Sequence, residues 1–118
     1  VVSIPGSGVV VVGDLVEQSG PPSYGDDSWP LEWPGSLDLV IDLTPADAVV
    51  VPGHGDAVDR NFMDEQHQQI VGIAEQVNQL ALAGVTAGDA YDRGEWPYPR
   101  EVMEPALARA FAHWTPPA

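Results

Sequence analysis

No cysteine occurs among the 118 residues. That excludes disulfides, thiolate zinc sites and cysteine nucleophiles. Lysine is also absent, and arginine appears four times against 18 acidic residues, for a net charge of −14. A nucleic-acid binder needs a basic footprint, and an anionic membrane surface attracts basic segments, so neither partner is expected. No apolar run approaches the ~20 residues that span a bilayer. The chain opens Val1-Val2-Ser3-Ile4, without a methionine, a basic leader region or a cleavage-site pattern. This start reads as the middle of a β element. The expectation is a cytoplasmic protein of which this chain is a part. A hydrophobic content of 44% supplies a core, and the length allows at most one ordinary domain.

The charge is uneven. Residues 1–59 hold ten Asp or Glu and no Lys or Arg, whereas residues 60–118 hold eight acids and all four arginines. Two readings stand side by side: a solvated acidic surface that aids solubility, or a half that folds around a cationic partner such as a metal ion.

The apolar pattern predicts strands at 1–4, 9–12 and 48–51. The first two join as a hairpin through the turn Pro5-Gly6-Ser7-Gly8. Unalternating valines at 9–12 call for cover on both faces of the sheet. Residues 18–35 form a long loop with four prolines and Tyr24, Trp29 and Trp33. Loops this long are functional or disordered, and three large aromatics argue for order. They either cap a core edge or wall a ligand cleft.

Ser36 predicts the cap of a short helix over 36–43, stopped by Thr44-Pro45. A long amphipathic helix is expected over 60–83, capped by Asp59 and closed by Gly84. Its apolar positions are Phe62, Met63, Ile70, Ile73, Val77, Leu80 and Ala81, with Gln66 as a polar exception. Residues 86–91 predict a further helical turn and 94–99 a loop. A last helix over 101–114 has Val102, Leu107, Ala110 and Phe111 as its apolar face, with Pro105 near its start.

Asp14 follows the second strand by two residues, and His54 follows the third by three. A loop and a helix separate these strands, which is the connection a parallel pair requires. Parallel neighbours would bring Asp14 and His54 out at one sheet edge, where open α/β sheets place their ligands. Gly13, Gly53 and Gly55 flank the two residues and permit close backbone approach. The ordinary alternative is a Gly-Asp turn and a surface histidine.

Taken together, Val-Val-Val-Gly-Asp-Leu at 10–15, Leu-Asp-Leu-Val-Ile-Asp-Leu-Thr-Pro at 37–45 and Val-Val-Val-Pro-Gly-His-Gly at 49–55 resemble the metallo-β-lactamase superfamily. The resemblance covers roughly residues 1–80. It implies an αββα sandwich that carries one or two metals, usually zinc and sometimes iron or manganese, in a hydrolase that activates water at the metal. By the same resemblance Asp14 matches the carboxylate that bridges two metals, and His54 matches a ligand of the second.

The family's first motif, His-x-His-x-Asp-His, is absent. His67, expected at an exposed position of the long helix, and His113, near the tail, lack the required spacing. The resemblance therefore implies an α/β (α+β) fold that is half of such a sandwich. Residues 1–84 form the carboxy-terminal half of the domain, and 85–118 a helical appendage packed on the long helix through Val102, Leu107 and Phe111 and anchored by Trp96 and Trp114.

Asp14 and His54 are the expected catalytic and metal-ligating residues, and two zinc ions are expected in the complete protein. Asp26, Asp27 and Asp56 are further acids without an argued spacing. Tyr24, Trp29 and Trp33 are the expected substrate-binding residues for a small molecule. The expected partner is the missing amino-terminal half or a second copy of the chain, since four adjacent valines need a second sheet. The rival expectation is a non-catalytic association module that pairs through that open sheet face.

Overall fold

The computed structural model describes residues 1–4, 6–25 and 27–116; Pro5 of the expected turn, the acid Asp26 and the terminal Pro117 and Ala118 lie outside the described residues. The fold is mixed α+β, and its described residues form three strands and four helices. They fall into two units: residues 1–23 with 35–68, and residues 24–34 with 69–118.

In the first unit, β1 (Val2–Ile4) and β2 (Val9–Gly13) pair antiparallel, and β2 pairs parallel with β3 (Val49–Pro52). The Ser7 hydroxyl closes the hairpin by donating to the Ile4 carbonyl at 2.7 Å. The parallel step between β2 and β3 is made through helix α1 (Trp33–Asp42). This helix starts three residues before the predicted cap, Ser36. Pro34 sits in its first turn, where a missing N–H costs nothing. Its buried positions Leu37, Val40 and Ile41 follow helical spacing. Its C-terminal turn is closed by the Thr44 hydroxyl, which donates to the Val40 carbonyl at 2.6 Å.

The two faces of the sheet differ. Val10, Val12 and Val50 point to one face and are 0–4% exposed. On the other face the register sets Val2, Val11 and Val51 in one cross-strand row and Ile4, Val9 and Val49 in a second. None of these six is buried, and Val2, Ile4 and Val49 are 45–60% exposed. Directly opposed residues share a face, so this side presents an unbroken β-branched surface.

Helix α2 (Arg60–Leu82) contributes to both units. Its caps follow the sequence signals. Asp59 accepts from the Phe62 N–H at 2.9 Å. At the far end the Val85 N–H reaches the Leu80 carbonyl and the Gly84 N–H the Ala81 carbonyl, both at 3.0 Å, the paired bonds of a Schellman end. The buried stripe runs Met63, Gln66, Ile70, Ile73, Val77, so the polar exception belongs to it. His67 is a correction: its side chain is 19% exposed rather than free in solvent, and its Nε2 lies 3.7 Å from Asp38 Oδ1 on α1.

In the second unit α3 (Ala87–Arg93) packs on α4 (Arg100–His113). The buried face of α4 is Met103, Ala106, Leu107 and Ala110. Val102 and Phe111, expected on that face, are only half-buried. The appendage is tied to α2 by polar contacts. The Trp114 indole donates to Asn78 Oδ1 at 3.1 Å and the Tyr98 hydroxyl to Gln69 Oε1 at 2.6 Å. Gln76 exchanges two bonds with the Glu95 backbone. Trp96 is held locally, donating to the Tyr91 carbonyl at 3.0 Å. No helix among the described residues is long and apolar enough to cross a membrane.

Candidate metal centre

Because β2 and β3 run parallel with Gly13 opposite Pro52, their carboxyl ends deliver the next residues to the same edge. Asp14 Oδ1 lies 3.6 Å from His54 Nδ1. Both side chains are about 70% exposed, so the pair faces solvent rather than the core. The approach depends on Gly53. A Cβ on that residue would stand 1.9 Å from Asp14 Oδ1 and 2.9 Å from both the Asp14 nitrogen and Glu17 Oε1. Gly55 turns the chain with φ +101°, a conformation that side-chain-bearing residues rarely adopt. The His54 carbonyl then accepts from the N–H groups of Gln18 and Ser19 at 3.1 and 3.3 Å. The Gly53 N–H donates to the Val16 carbonyl at 3.2 Å. These bonds lock the 53–55 loop against the 14–19 loop.

A third residue joins them. The Glu17 side chain is 5% exposed, and its Oε2 and Oε1 lie 3.0 and 3.2 Å from His54 Nδ1. A buried carboxylate needs a donor, and no Lys or Arg occurs in residues 1–59. His54 Nδ1 is the group within hydrogen-bond distance of both its oxygens. The Glu17 backbone is itself held by Gln66, whose Oε1 accepts its N–H at 2.9 Å and whose amide donates to its carbonyl at 2.8 Å. Glu17 and Gln66 are the residues the sequence reasoning misses. A polar residue on a buried helical stripe is the signal for Gln66, because such groups are hydrogen-bonded.

Asp14, Glu17 and His54 each offer one ligand atom, all within 4.8 Å of one another, and they are the one such cluster among the described residues. Asp27 and Asp56 are not part of it. As a donor set for zinc it fits: an exposed carboxylate, and an imidazole whose Nδ1 is engaged by a carboxylate so that Nε2 remains. It falls short of the three ligands and a water usual for catalytic zinc when Glu17 is spent on the histidine.

The three aromatics belong to the second unit. Tyr24 and Trp33 are buried and pack with ring centroids 5.0 Å apart. The Tyr24 hydroxyl has no hydrogen-bond partner among the described residues, and burial raises its pKa, with Tyr98 nearby adding to the shift. Burial likewise pushes Tyr98 up to about 12. Trp29 is half-exposed and stacks on His113 at 4.2 Å. It borders a groove of about 400 Å³ with Glu32, Asn78 and Trp114, all in the same unit.

Comparison with protein-family models, with curated proteins and with solved structures finds no match.

Proposed function

We propose that this chain supplies the carboxy-terminal half of a metal-dependent hydrolase of the metallo-β-lactamase fold. Asp14 and His54 are its share of the metal ligands. The observation that carries the reading is the meeting of Asp14 Oδ1 and His54 Nδ1, 3.6 Å apart, at the carboxyl ends of two parallel strands. The Gly-Asp and Pro-Gly-His-Gly sequences that deliver them support it.

Zinc bound there would polarise a carbonyl or phosphoryl oxygen and acidify water. Asp14 contributes the negative charge that holds cations close together, and its exposure leaves it free to share them with residues from elsewhere. His54 contributes a neutral nitrogen donor. The substrate class is a small-molecule thioester, lactone, β-lactam or phosphodiester. The chain alone holds too few ligands and is expected to turn over none of these at a useful rate. In a protein that also carries a His-x-His-x-Asp-His half, Asp14→Asn is expected to lose most turnover of a generic ester or phosphodiester. Full activity in that variant would sink the reading.

A second reading has its own support. The open sheet face, Val2, Val11 and Val51 beside Ile4, Val9 and Val49, is of the kind soluble monomers cover. It suits a second sheet, brought either by an amino-terminal half or by a second copy. A purely associating module would use that face and have no need of the Asp14–Glu17–His54 cluster.

A further inference from the structure

We propose that Glu17 is a positioning residue that fixes the tautomer of His54. Its carboxylate holds the proton on Nδ1, so that the lone pair of the neutral ring resides on Nε2, the nitrogen left for a cation; Asp14 Oδ1, 3.6 Å from Nδ1, would have to turn its exposed carboxylate to share that cation. The inference rests on the metal-site reading above and adds to it a residue that no spacing argument singles out.

The geometry argues for this role over a third ligand. An ionised carboxylate only accepts. Nδ1 lies 3.0 and 3.2 Å from the two Glu17 oxygens, so a carboxylate there places the shared proton on the ring nitrogen. Both oxygens converge on that one donor, and the side chain is 5% exposed, so Glu17 has little freedom to swing toward an ion. Gln66 pins the Glu17 backbone through two bonds from helix α2, which makes the acceptor part of the core rather than of the loop. Asp14, by contrast, is 70% exposed. A free imidazole in water favours the proton on Nε2, which would hide the lone pair that a metal needs there. An anionic acceptor on Nδ1 reverses that preference and raises the basicity of the other nitrogen. The polar chain Gln66–Glu17–His54 thus runs from a buried helix stripe to an exposed ring.

The test is the ring nitrogen shifts of His54 by NMR in the metal-free chain, measured over a pH series and compared for the neutral ring, for wild type and Glu17→Gln, followed by titration with Zn²⁺ alone. The expected result is an Nδ1–H ring in wild type and a shift toward Nε2–H in E17Q. Zinc affinity should fall about 10- to 100-fold in the variant, with zinc moving the Nε2 resonance. An Nε2–H ring in wild type, an E17Q ring with an unchanged tautomer, or zinc arriving at Nδ1 would each overturn the proposal. The wild-type measurement needs no variant to fold. A wild-type chain that has the Nδ1–H ring but binds no zinc would support the Glu17 role and instead sink the metal-site reading.

Discussion

Replacing Gly53 by alanine puts one methyl group into the tightest point of the candidate site. The added Cβ would stand 1.9 Å from Asp14 Oδ1, 2.9 Å from the Asp14 nitrogen and 2.9 Å from Glu17 Oε1. Ordinary contact begins at about 3.4 Å, so the first overlap is about 1.5 Å and the other two about 0.5 Å. The first is relieved cheaply, because the Asp14 side chain is 70% exposed and can rotate away. The other two are not: one atom is backbone, and the other belongs to a buried carboxylate bonded to His54.

The 53–54 segment must therefore move by about half an ångström relative to residues 14–17, at a cost of about 1–3 kcal/mol. Asp14, once rotated, no longer meets His54. Gly53→Ala should lower stability by that amount in urea unfolding and weaken zinc binding at least about tenfold. Gly72→Ala is the matched control. It lies inside α2 with nothing within 4 Å of the added carbon, so it should gain about 0.5–1 kcal/mol and leave zinc binding unchanged. A Gly53→Ala chain that unfolds like wild type and binds zinc equally well would refute the close-approach argument.

Two further outcomes follow from burial. The Tyr24 hydroxyl is buried without a hydrogen-bond partner among the described residues, so Tyr24→Phe should be neutral or stabilising by up to about 1 kcal/mol in thermal or urea unfolding; a loss of stability would mean that the hydroxyl is bonded. Burial raises the folded pKa of Tyr24, and of Tyr98 to about 12, above the unfolded value of about 10. The stability from these protonated hydroxyls is full below about pH 10 and lost as pH rises through about 12. The melting temperature should fall over that window, less steeply in the double Tyr→Phe variant. The open sheet face predicts concentration-dependent association in light scattering, or binding of a hydrophobic dye. Introducing charge with Val49→Lys should reduce both, and a wild-type chain that stays monomeric and binds no dye would count against a covered face.

The parts of the fold that could be read from the chain are those where one local signal meets one global constraint. The valine runs at 9–12 and 49–51, separated by a loop and helix, specify a parallel pair, and the parallel pair brings Asp14 to His54. Asp59 and Gly84 bound the long helix because a cap side chain and a left-handed glycine leave few alternatives. The start of α1 escapes because Ser36 is a good cap by type, while Trp33-Pro34 begin the helix in fact. The buried face of α4 is turned toward Met103 and Ala106, small or flexible side chains that contribute little to an apolar pattern beside Val102 and Phe111. His67 looks exposed between two glutamines, yet it packs beside Asp38 from a helix distant in sequence. Glu17 is hidden for a different reason. A lone acid three residues after Asp14 has no recognisable spacing, and its role exists only once the 14–19 loop folds back along residues 53–55.

The central claim is that Asp14 and His54 hold a cation together, and equilibrium zinc binding by the chain tests it most directly. Wild type, Asp14→Asn, His54→Ala and His67→Ala are compared by competition against a chromophoric chelator. The account predicts weak but saturable binding at one site in wild type, since fewer than the usual three ligands are present. It predicts a loss of at least about tenfold in both Asp14→Asn and His54→Ala, and no change in His67→Ala, whose ring lies beside Asp38 rather than in the cluster. Binding that survives both site variants unchanged, or that is lost only with His67, would contradict it.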